Sequence, residues 1–362
     1  MRILILMRNS VSTSRGGAEV QADFLREACI KAGHEVHFAF DSKSTIEHPD
    51  DSTTYHTLPD NGRIKSWKNY SAIKGLVKEI NPDLVYQRVR FSYTGLAAIA
   101  SRCFGAKFVH NISADYACKK NPVPFGVHFI ANFITEHLGR YGLRHADLLI
   151  SQTASQAGLL KSNFGLDSIV IPNAHPVPDH LFTKSTPPIV AWVANIKSWK
   201  QPEIFVDLAK RLSNTAARFV MAGKPGGAKY QERILRLIED APNIEYVGQL
   251  TIEEVNTLLS EAAIFINTSE PREGFPNTYI QAWMRKTPVI SLNFDPDDIN
   301  TRNDIGYLSG NFEQLVKDVE HLLSSPTMLS DMGIRARQYS IKKHDTDVTG
   351  ALYLKEFEKL LN

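Results

Sequence analysis

The sequence has few cysteines and no long hydrophobic run, and both absences exclude whole classes of protein. Its 362 residues include three cysteines, Cys29, Cys103 and Cys118, which are too few and too widely spaced for a disulfide scaffold or a zinc site. No apolar stretch approaches the ~18 residues that a membrane-spanning helix needs, and runs such as Ile3–Met7 are also too short for the core of a signal peptide. We therefore expect a cytoplasmic protein of a reducing compartment.

Net charge is also small, but it is unevenly distributed. Residues 1–165 hold 20 cationic and 14 anionic side chains, a balance of +6, whereas residues 166–362 hold 21 and 25, a balance of −4. The basic first half favours an anionic partner, such as a phosphorylated ligand or an acidic membrane surface, although solvated faces account for it equally well. No strongly basic block with interleaved aromatic residues is present, so we expect no nucleic-acid partner.

What the sequence does contain is a regular alternation of short apolar runs and amphipathic segments. Arg2–Met7 is apolar without alternation, which is typical of a strand buried on both faces, and Gly17–Ala32 places Val20, Phe24 and Ala28 on one helical face. The alternation continues in Val36–Phe40, Ser66–Ile80, Leu84–Tyr86, Tyr93–Phe104, Lys107–Ile112, Phe125–Arg144 and Asp147–Ser151. Strands that alternate with helices predict a doubly wound parallel sheet.

Five of the 18 prolines fall between Pro172 and Pro188, and they separate this region from a second one. Because proline continues neither a helix nor a central strand, the segment predicts a linker. The alternation then resumes in Ile189–Val193, Gln201–Leu212, Ala217–Ala222, Tyr230–Asp240, Ile244–Val247, Ile252–Ala262, Ala263–Asn267, Pro276–Arg285, Pro288–Leu292 and Phe312–Leu323. The predicted fold class is α/β, with two Rossmann-like doubly wound parallel-sheet domains and a ligand-binding cleft between them.

A glycine pair lies between the first predicted strand and the first predicted helix, in the run Arg15-Gly16-Gly17-Ala18-Glu19. Glycines let a backbone approach a ligand closely, and the helix that follows presents N–H groups and the positive end of its dipole. The run lacks the spacing of the dinucleotide-binding fingerprint, so it does not indicate NAD. Contact with a phosphate or an acceptor and a plain turn account for it equally well.

The segment richest in chemical groups runs from Ser269 to Gln281 and leads from an apolar strand into a helix. Pro276 suits the first helical position, where its missing N–H is not needed, and the N–H groups after it would face an anion. Glu273 lies just before this helix, where a carboxylate can hold sugar hydroxyls or only stabilise the helix terminus. Gln281 lies further into the helix and could reach another group of the same ligand.

This segment resembles the signature of the family-4 retaining glycosyltransferases, which have the GT-B fold of two facing Rossmann-like domains. The family has a Glu, seven residues and a second Glu; here Glu273 matches the first position and Gln281 replaces the second. The resemblance implies that Glu273 lies near the donor sugar and that Gln281 contacts the nucleotide ribose without the charge assistance of a carboxylate. It also assigns the residues between them to donor binding: Gly274, Phe275, Pro276, Asn277 and Thr278.

Other segments resemble the same family across nearly the whole chain. Gly16 and Gly17 occupy the place of its glycine-rich loop, near the donor diphosphate and the acceptor. Pro172-Asn173-Ala174 resembles its Pro-Asn-Gly at the domain crossover, and the strand that ends before Gly248 resembles the one that leads to its nucleotide-base pocket.

Ala194–Lys200 resembles the family segment in which an Arg and a Lys neutralise the donor diphosphate. Lys200 matches the Lys, whereas Asn195 occupies the Arg position and removes one charge. Lys197 is a candidate for supplying that charge. We therefore predict a catalytic group of Glu273, Lys200, Asn195 and Lys197.

On the acceptor side, many members of the family place a histidine at the end of a first-domain strand. Here Ser113 and Asp115 fall at that point, with His110 slightly earlier. Together with Arg15, these three residues are our candidates for acceptor binding.

The resemblance implies transfer of a sugar from a nucleoside diphosphate, UDP or GDP, with retention of anomeric configuration and without a metal or another cofactor. Lys200, Lys197 and the helix that begins at Pro276 would stabilise the leaving phosphate. The acceptor would be a growing cell-surface glycan or a lipid-linked intermediate. The implied domains are 1–171 for the acceptor, 172–188 as linker, 189–343 for the donor, and a final helix within 344–362 that returns to the first domain.

Two other functions remain open from the sequence: a sugar-nucleotide epimerase of similar architecture, and a degenerate homologue that binds a nucleotide sugar as a scaffold. Asp295-Pro296-Asp297-Asp298 contains a possible metal motif, which we interpret as a turn. Gly223–Tyr230 is a near-miss to a phosphate-binding loop, which we interpret as flexible. The basic amphipathic segment Ser66–Ile80 predicts either a helix packed on the sheet or a peripheral membrane contact.

Overall fold

A computed structural model describes residues 1–10, 16–41, 43, 50–120, 126, 128–180, 183–224, 226–271 and 274–362. The chain divides into two compact units. The N-terminal unit comprises Met1–Ala174 with Thr346–Asn362, and the C-terminal unit comprises His175–Asp345. Each unit is built around its own parallel sheet.

The N-terminal unit has a seven-stranded sheet in the order β3-β2-β1-β4-β5-β6-β7, and every pairing is parallel. Its strands are β1 (Arg2–Leu6), β2 (Glu35–Asp41), β3 (Thr53–Leu58), β4 (Leu84–Arg88), β5 (Lys107–Asn111), β6 (Leu148–Ser151) and β7 (Ile169–Val170). Ile3 to Leu6 are fully buried, because helices cover both faces of the sheet at its central strand.

The helices that connect these strands in the described part of the chain are α1 (Gly17–Lys31), α2 (Gly62–Lys65), α3 (Tyr70–Ile80), α4 (Ser92–Phe104), α5 (Phe129–Arg144) and α6 (Ala154–Phe164). The helix predicted over Ser66–Ile80 begins instead with a 3₁₀ turn at Ser66–Asn69, and α3 proper starts at Tyr70. The apolar face of α3 is buried in the core, so it packs on the sheet. One glycine of each helix lets α4 and α5 pack backbone to backbone. A Cβ on Gly142 of α5 would lie 2.3 Å from the carbonyl oxygen of Thr94, and a Cβ on Gly95 of α4 would lie 2.4 Å from that of Leu138.

The C-terminal unit has a six-stranded parallel sheet in the order β10-β9-β8-β11-β12-β13. Its strands are β8 (Ile189–Val193), β9 (Arg218–Ala222), β10 (Ile244–Tyr246), β11 (Ala262–Asn267), β12 (Val289–Ser291) and β13 (Gly306–Leu308). Its helices are α7 (Pro202–Arg211), α8 (Ala228–Glu239), α9 (Ile252–Glu261), α10 (Asn277–Met284), α11 (Ile299–Arg302), α12 (Phe312–Leu323) and α13 (Pro326–His344). The predicted fold class, two Rossmann-like doubly wound parallel-sheet domains, is confirmed.

The last helix, α14 (Thr346–Leu361), belongs to the N-terminal unit. Its buried side chains Tyr353 and Phe357 pack against Tyr86 of β4, with the Tyr86 and Tyr353 rings edge to face at 6.2 Å between centroids. A Cβ on Gly350 would lie 2.7 Å from the Cβ of Ala28, so this glycine lets α14 lie close against α1.

Each sheet reverses its strand order at one point, between β1 and β4 in the N-terminal unit and between β8 and β11 in the C-terminal unit. Loops that leave the carboxyl ends of the two strands at such a point diverge to opposite faces, and ligands of open α/β sheets bind in the crevice between them. The sheet topology therefore predicts that a ligand binds at the loops that follow β1, β4, β8 and β11.

Candidate functional site

The loops that follow β8, β11 and β12 are joined by buried hydrogen bonds at the reversal point of the C-terminal sheet. The Thr268 hydroxyl donates to the Lys200 carbonyl (2.7 Å) and accepts from the Trp192 indole N–H (2.9 Å). Glu270 N–H donates to the Trp199 carbonyl (2.8 Å), and the Asn293 amide donates to the carbonyls of the β11 loop. Three loops that are distant in sequence are thereby held in one position.

Lys200 ends a short 3₁₀ turn in the β8 loop, and only 8% of its surface is exposed. Its ammonium nitrogen lies 4.4 Å from the centroid of the Trp199 ring, a cation–π distance. Asn195 and Lys197 precede it in the same loop and are exposed. The structure therefore brings the three predicted β8-loop residues together, with one cation largely buried and one in solvent.

The β11 loop leads into α10, which begins one residue later than the sequence predicts. Pro276 is the N-cap residue with φ −70° and ψ 123°, and Asn277 is the first helical residue. Because proline has no side-chain acceptor, Pro276 cannot cap the first N–H groups of α10, and they suit an anion. Gly274 adopts φ +80°, a conformation that favours glycine.

The other predicted residues of this segment differ in how far they are buried and in what they contact. Phe275 is buried, with its ring centroid 6.1 Å from that of Trp283 and 5.3 Å from that of His344. Thr278 is half-buried in the first turn of α10. The half-buried Gln281 amide donates to the Asn256 side-chain oxygen of α9 at 3.1 Å. A ligand group at Gln281 would share that amide with Asn256.

Gly248 follows β10 and adopts φ +78°. Apart from its chain neighbours, no heavy atom of the described residues lies within 4 Å of the position of an added Cβ, so the backbone is open to a ligand on that side. Its carbonyl accepts from the N–H of Gly223 in the β9 loop at 2.7 Å.

Two predicted site residues, Glu273 and Arg15, lie outside the described residues. Gly16 and Gly17 are described: Gly16 is the N-cap residue of α1 and Gly17 is its exposed first residue. The glycine pair therefore lies at the N-terminus of α1, in the loop that the topology selects.

Of the acceptor candidates, Ser113 and Asp115 follow β5 and are half-buried, and Asp115 accepts a hydrogen bond from the Gln156 amide (3.0 Å). His110 is fully buried, and its Nδ1 lies 2.7 Å from the Gln87 side-chain oxygen. Burial, together with the charges of Arg90 and Arg88, lowers the pKa of His110 to about 3. His110 is therefore a neutral core residue without surface for an acceptor.

Sequence reasoning missed a polar cluster near the carboxyl end of β4. The buried Arg88 guanidinium donates to the Asn173 side-chain oxygen (2.6 Å). Glu19, in the first turn of α1, accepts from the Asn9 amide (3.2 Å), and burial raises the pKa of its carboxyl while Arg88 and Arg8 oppose that rise. The available signal was the pair of polar residues, Gln87 and Arg88, that ends the buried strand β4.

The possible metal motif after β12 is used structurally. The Asp295 carboxylate accepts from the backbone N–H groups of Asn300 and Thr301 at 2.9 and 3.0 Å, so it caps α11. Within the described ranges, no three metal-ligating His, Cys, Asp or Glu side chains converge. Every helix in those ranges is too short or too polar to span a lipid bilayer.

Comparisons with known proteins agree with this arrangement. Residues 15–176 match the family model described as Glycosyltransferase Family 4, and residues 187–325 match the model for Glycosyl transferases group 1. A comparison with curated protein sequences returned no significant match.

Solved structures of GT-B glycosyltransferases share the fold at low sequence identity. A glycosyltransferase from Rickettsia africae ESF-5 is 18% identical with a TM-score of 0.79, covering 100% of this chain and 98% of the other. Anabaena Alr3699/HepE in complex with UDP is 13% identical with a TM-score of 0.79, covering 99% and 100%. A sucrose-phosphate synthase from Thermosynechococcus elongatus is 15% identical with a TM-score of 0.78, covering 99% of each chain.

Proposed function

Because the chain belongs to the group 1 and family 4 glycosyltransferases, we propose that it moves a sugar from a nucleoside diphosphate to an acceptor hydroxyl with retention of configuration. The observation that carries this proposal is the junction of the β8 and β11 loops. There, hydrogen bonds to the backbone carbonyls of Lys200 and Trp199 join the loop that carries the largely buried Lys200 to the loop that leads into α10. Both features suit a phosphate.

In the proposed reaction the bond between the sugar C1 and the donor phosphate oxygen breaks, and a bond from the acceptor oxygen to C1 forms on the same face. The acceptor proton passes to the departing phosphate oxygen. Negative charge develops on the diphosphate, where Lys200 and the N-terminus of α10 stabilise it and Lys197 is a candidate for a second cation. We propose that these groups serve in place of a metal ion.

The remaining predicted residues keep their proposed roles around this reaction. Glu273 would lie near the donor sugar, Gln281 would contact the ribose, and Gly248 would border the base. Gly16 and Gly17 would border the donor diphosphate where it meets the acceptor. Arg15, Ser113 and Asp115 would contact the acceptor, a glycan or lipid-linked intermediate of cell-surface polysaccharide synthesis.

UDP-sugars are the first donors to test, because Anabaena Alr3699/HepE was solved with UDP and with UDP-glucose; GDP-sugars are the alternative. We expect release of UDP or GDP from one donor and an α-linked product from an α-linked donor, with unchanged rate in EDTA. Anomeric proton couplings in the NMR spectrum report the stereochemistry. An inverted product would contradict retention, and loss of activity in EDTA would contradict metal independence.

We also propose that the cytoplasmic protein contacts an anionic membrane surface through α5. On this helix Ile130 is 73% exposed and Phe133, one turn later, is 44% exposed. The helix lies against Gly62–Asn69, and residues 62–78 contain five cations and no anion. Exposed apolar side chains beside basic ones are typical of interfacial helices.

Cosedimentation with vesicles tests this contact. Ile130→Ser combined with Phe133→Ser should remove binding to phosphatidylglycerol vesicles at low salt, with phosphatidylcholine vesicles as the neutral reference. Ile334→Ser is the matched control, because Ile334 is a 40% exposed apolar residue of α13 in the other unit. Binding by the wild type to neither vesicle, or equal binding by all variants, would contradict the proposal.

A further inference from the structure

The loop that follows β9 resembles a phosphate-binding loop only loosely, and its sequence suggests a free surface loop. In the structure two of its glycines, Gly223 and Gly226, lie directly against the β8 loop. A Cβ on Gly223 would lie 1.7 Å from the Ala194 carbonyl oxygen, and a Cβ on Gly226 would lie 2.2 Å from the Ile196 carbonyl oxygen. Residues this close to another backbone must be glycine, so the β9 loop has a fixed position beside the β8 loop.

Hydrogen bonds extend the pairing of the two strands into these loops. β8 and β9 pair from Ile189 opposite Arg218 to Val193 opposite Ala222. Beyond that, Ala194 N–H donates to the Ala222 carbonyl (3.0 Å) and Ile196 N–H donates to the Lys224 carbonyl (2.9 Å).

These two hydrogen bonds continue the register of β8 and β9 into the loops. In that register Asn195 lies opposite Lys224. Register partners on neighbouring strands lie about 5 Å apart. The β9 loop is also held on its other side, where the Tyr246 hydroxyl donates to the Gly223 carbonyl (2.8 Å). Lys224 is thus fixed at the level of Asn195 and is exposed.

Asn195 occupies the position where the resemblance places an arginine, so the β8 loop lacks one cation for the donor diphosphate. We propose that Lys224 supplies this second cation across the β8–β9 register, with Lys200 as the first. This assignment rests on the proposed function and adds a donor-binding residue to it. A lysine is a compact, mobile point charge, which suits a phosphate oxygen without the planar geometry of an arginine.

Calorimetric titration with UDP, and with uridine as the probe that lacks phosphate, tests the assignment. We expect Lys224→Gln to weaken UDP binding about tenfold, since a hydrogen bond to a charged group contributes at least that factor. Uridine affinity and the melting temperature should not change. Lys317→Gln, an exposed lysine of α12 with the same charge change, is the control and should bind UDP like the wild type.

A compensating variant makes the test specific. Asn195→Arg in the Lys224→Gln background should restore most of the lost UDP affinity, because the charge returns to the register partner. If Lys224→Gln binds UDP like the wild type while Lys197→Gln loses tenfold, the second cation is Lys197 and the inference is overturned. If the wild type binds no nucleoside diphosphate, the proposed function fails and the inference fails with it.

Discussion

The two sheets reverse their strand order in the same way, yet the carboxyl ends at their reversal points differ in what surrounds them. In the N-terminal unit, Gln87, Arg88 and His110 are buried and hydrogen-bond among neighbouring groups. In the C-terminal unit, the exposed Lys197 and Lys224 border loops that are joined through their backbones. The polar groups at the N-terminal reversal point hydrogen-bond within the protein, whereas cations at the C-terminal one are exposed to solvent.

Backbone strain also distinguishes the carboxyl ends of the strands at the two reversal points, which we call the first edge and the second edge. Val89, directly after β4, has φ +73°, which is unusual for a β-branched residue. The Gln87 amide holds the turn by donating to the carbonyls of Arg88 (2.6 Å) and Val89 (2.7 Å). Among the described residues of the C-terminal unit, positive φ values after β8 and β11 fall at Gln201 (+49°) and Gly274 (+80°), neither of which is β-branched. We infer that the first edge is preformed and that the second depends on close backbone contact.

The largest effect on the protein as a whole should come from breaking that backbone contact, because both UDP binding and stability change. Gly226→Ala would place a Cβ 2.2 Å from the Ile196 carbonyl and force the loops apart. We expect UDP affinity to fall more than tenfold and the unfolding free energy to fall by about 1–3 kcal/mol. Gly227→Ala is the control, since its added Cβ would have no described atom within 4 Å besides its chain neighbours. Equal behaviour in calorimetry and urea unfolding would show that the contact is dispensable.

Removing the largely buried cation should have the next largest effect. Lys200→Met keeps the stem of the side chain and removes the charge. We expect the transfer rate to fall about 100-fold, which is typical of removing one preorganised group from a developing anion. Steady-state rates with a UDP-sugar check this, with Lys317→Met as the control. A change of less than threefold would exclude Lys200 from catalysis.

Buried histidines should make both units less stable in mild acid. Burial lowers the folded-state pKa of His110 in the N-terminal unit to about 3 and that of His175 in the C-terminal unit to about 4. The unfolded chain binds these protons near pH 6.5, so stability falls as pH drops below 6.5, by about 1.4 kcal/mol per pH unit and histidine.

His110→Gln should remove one of these contributions. Urea unfolding at pH 7 and pH 5 should therefore show a smaller pH dependence for this variant than for the wild type. An unchanged pH dependence would contradict the neutral, buried state of His110.

The smallest effect should come from restoring the second glutamate of the family pattern. Gln281→Glu would return a carboxylate to the proposed ribose contact, and Asn256 can rotate its amide to donate to it. We expect UDP affinity to rise a few-fold, because a charged acceptor strengthens a hydrogen bond. Titration with UDP and with 2′-deoxy-UDP resolves the ribose contribution, and an equal gain for both would place Gln281 away from the ribose.

Most of the fold could be predicted because its strands are apolar and regularly spaced. Ile189–Val193 and Phe312–Leu323 begin and end where the sequence predicts. The missed strand β3 reads TTYHTL, with polar residues at the edge of the sheet, and β7 has two residues. Such short or polar edge strands lack the hydrophobic signal on which the prediction depends.

The site was only partly predictable. The β8 and β11 loops carry recognisable residue patterns, and the reversal point shows why these loops belong together. The burial of His110 and the role of Gly226 depend on pairing between distant segments, which local sequence does not encode. Lys224 was overlooked for the same reason, since its relation to Asn195 follows from strand register.

The most direct test of the central claim is a thermal-shift measurement with UDP, GDP and ADP and their sugar conjugates on the wild type and on Lys200→Met. A ligand that binds only the folded protein raises its melting temperature by mass action. We predict a saturable rise with one nucleotide family, reduced in Lys200→Met. No rise at millimolar concentrations of any of them would contradict a donor site in the C-terminal unit.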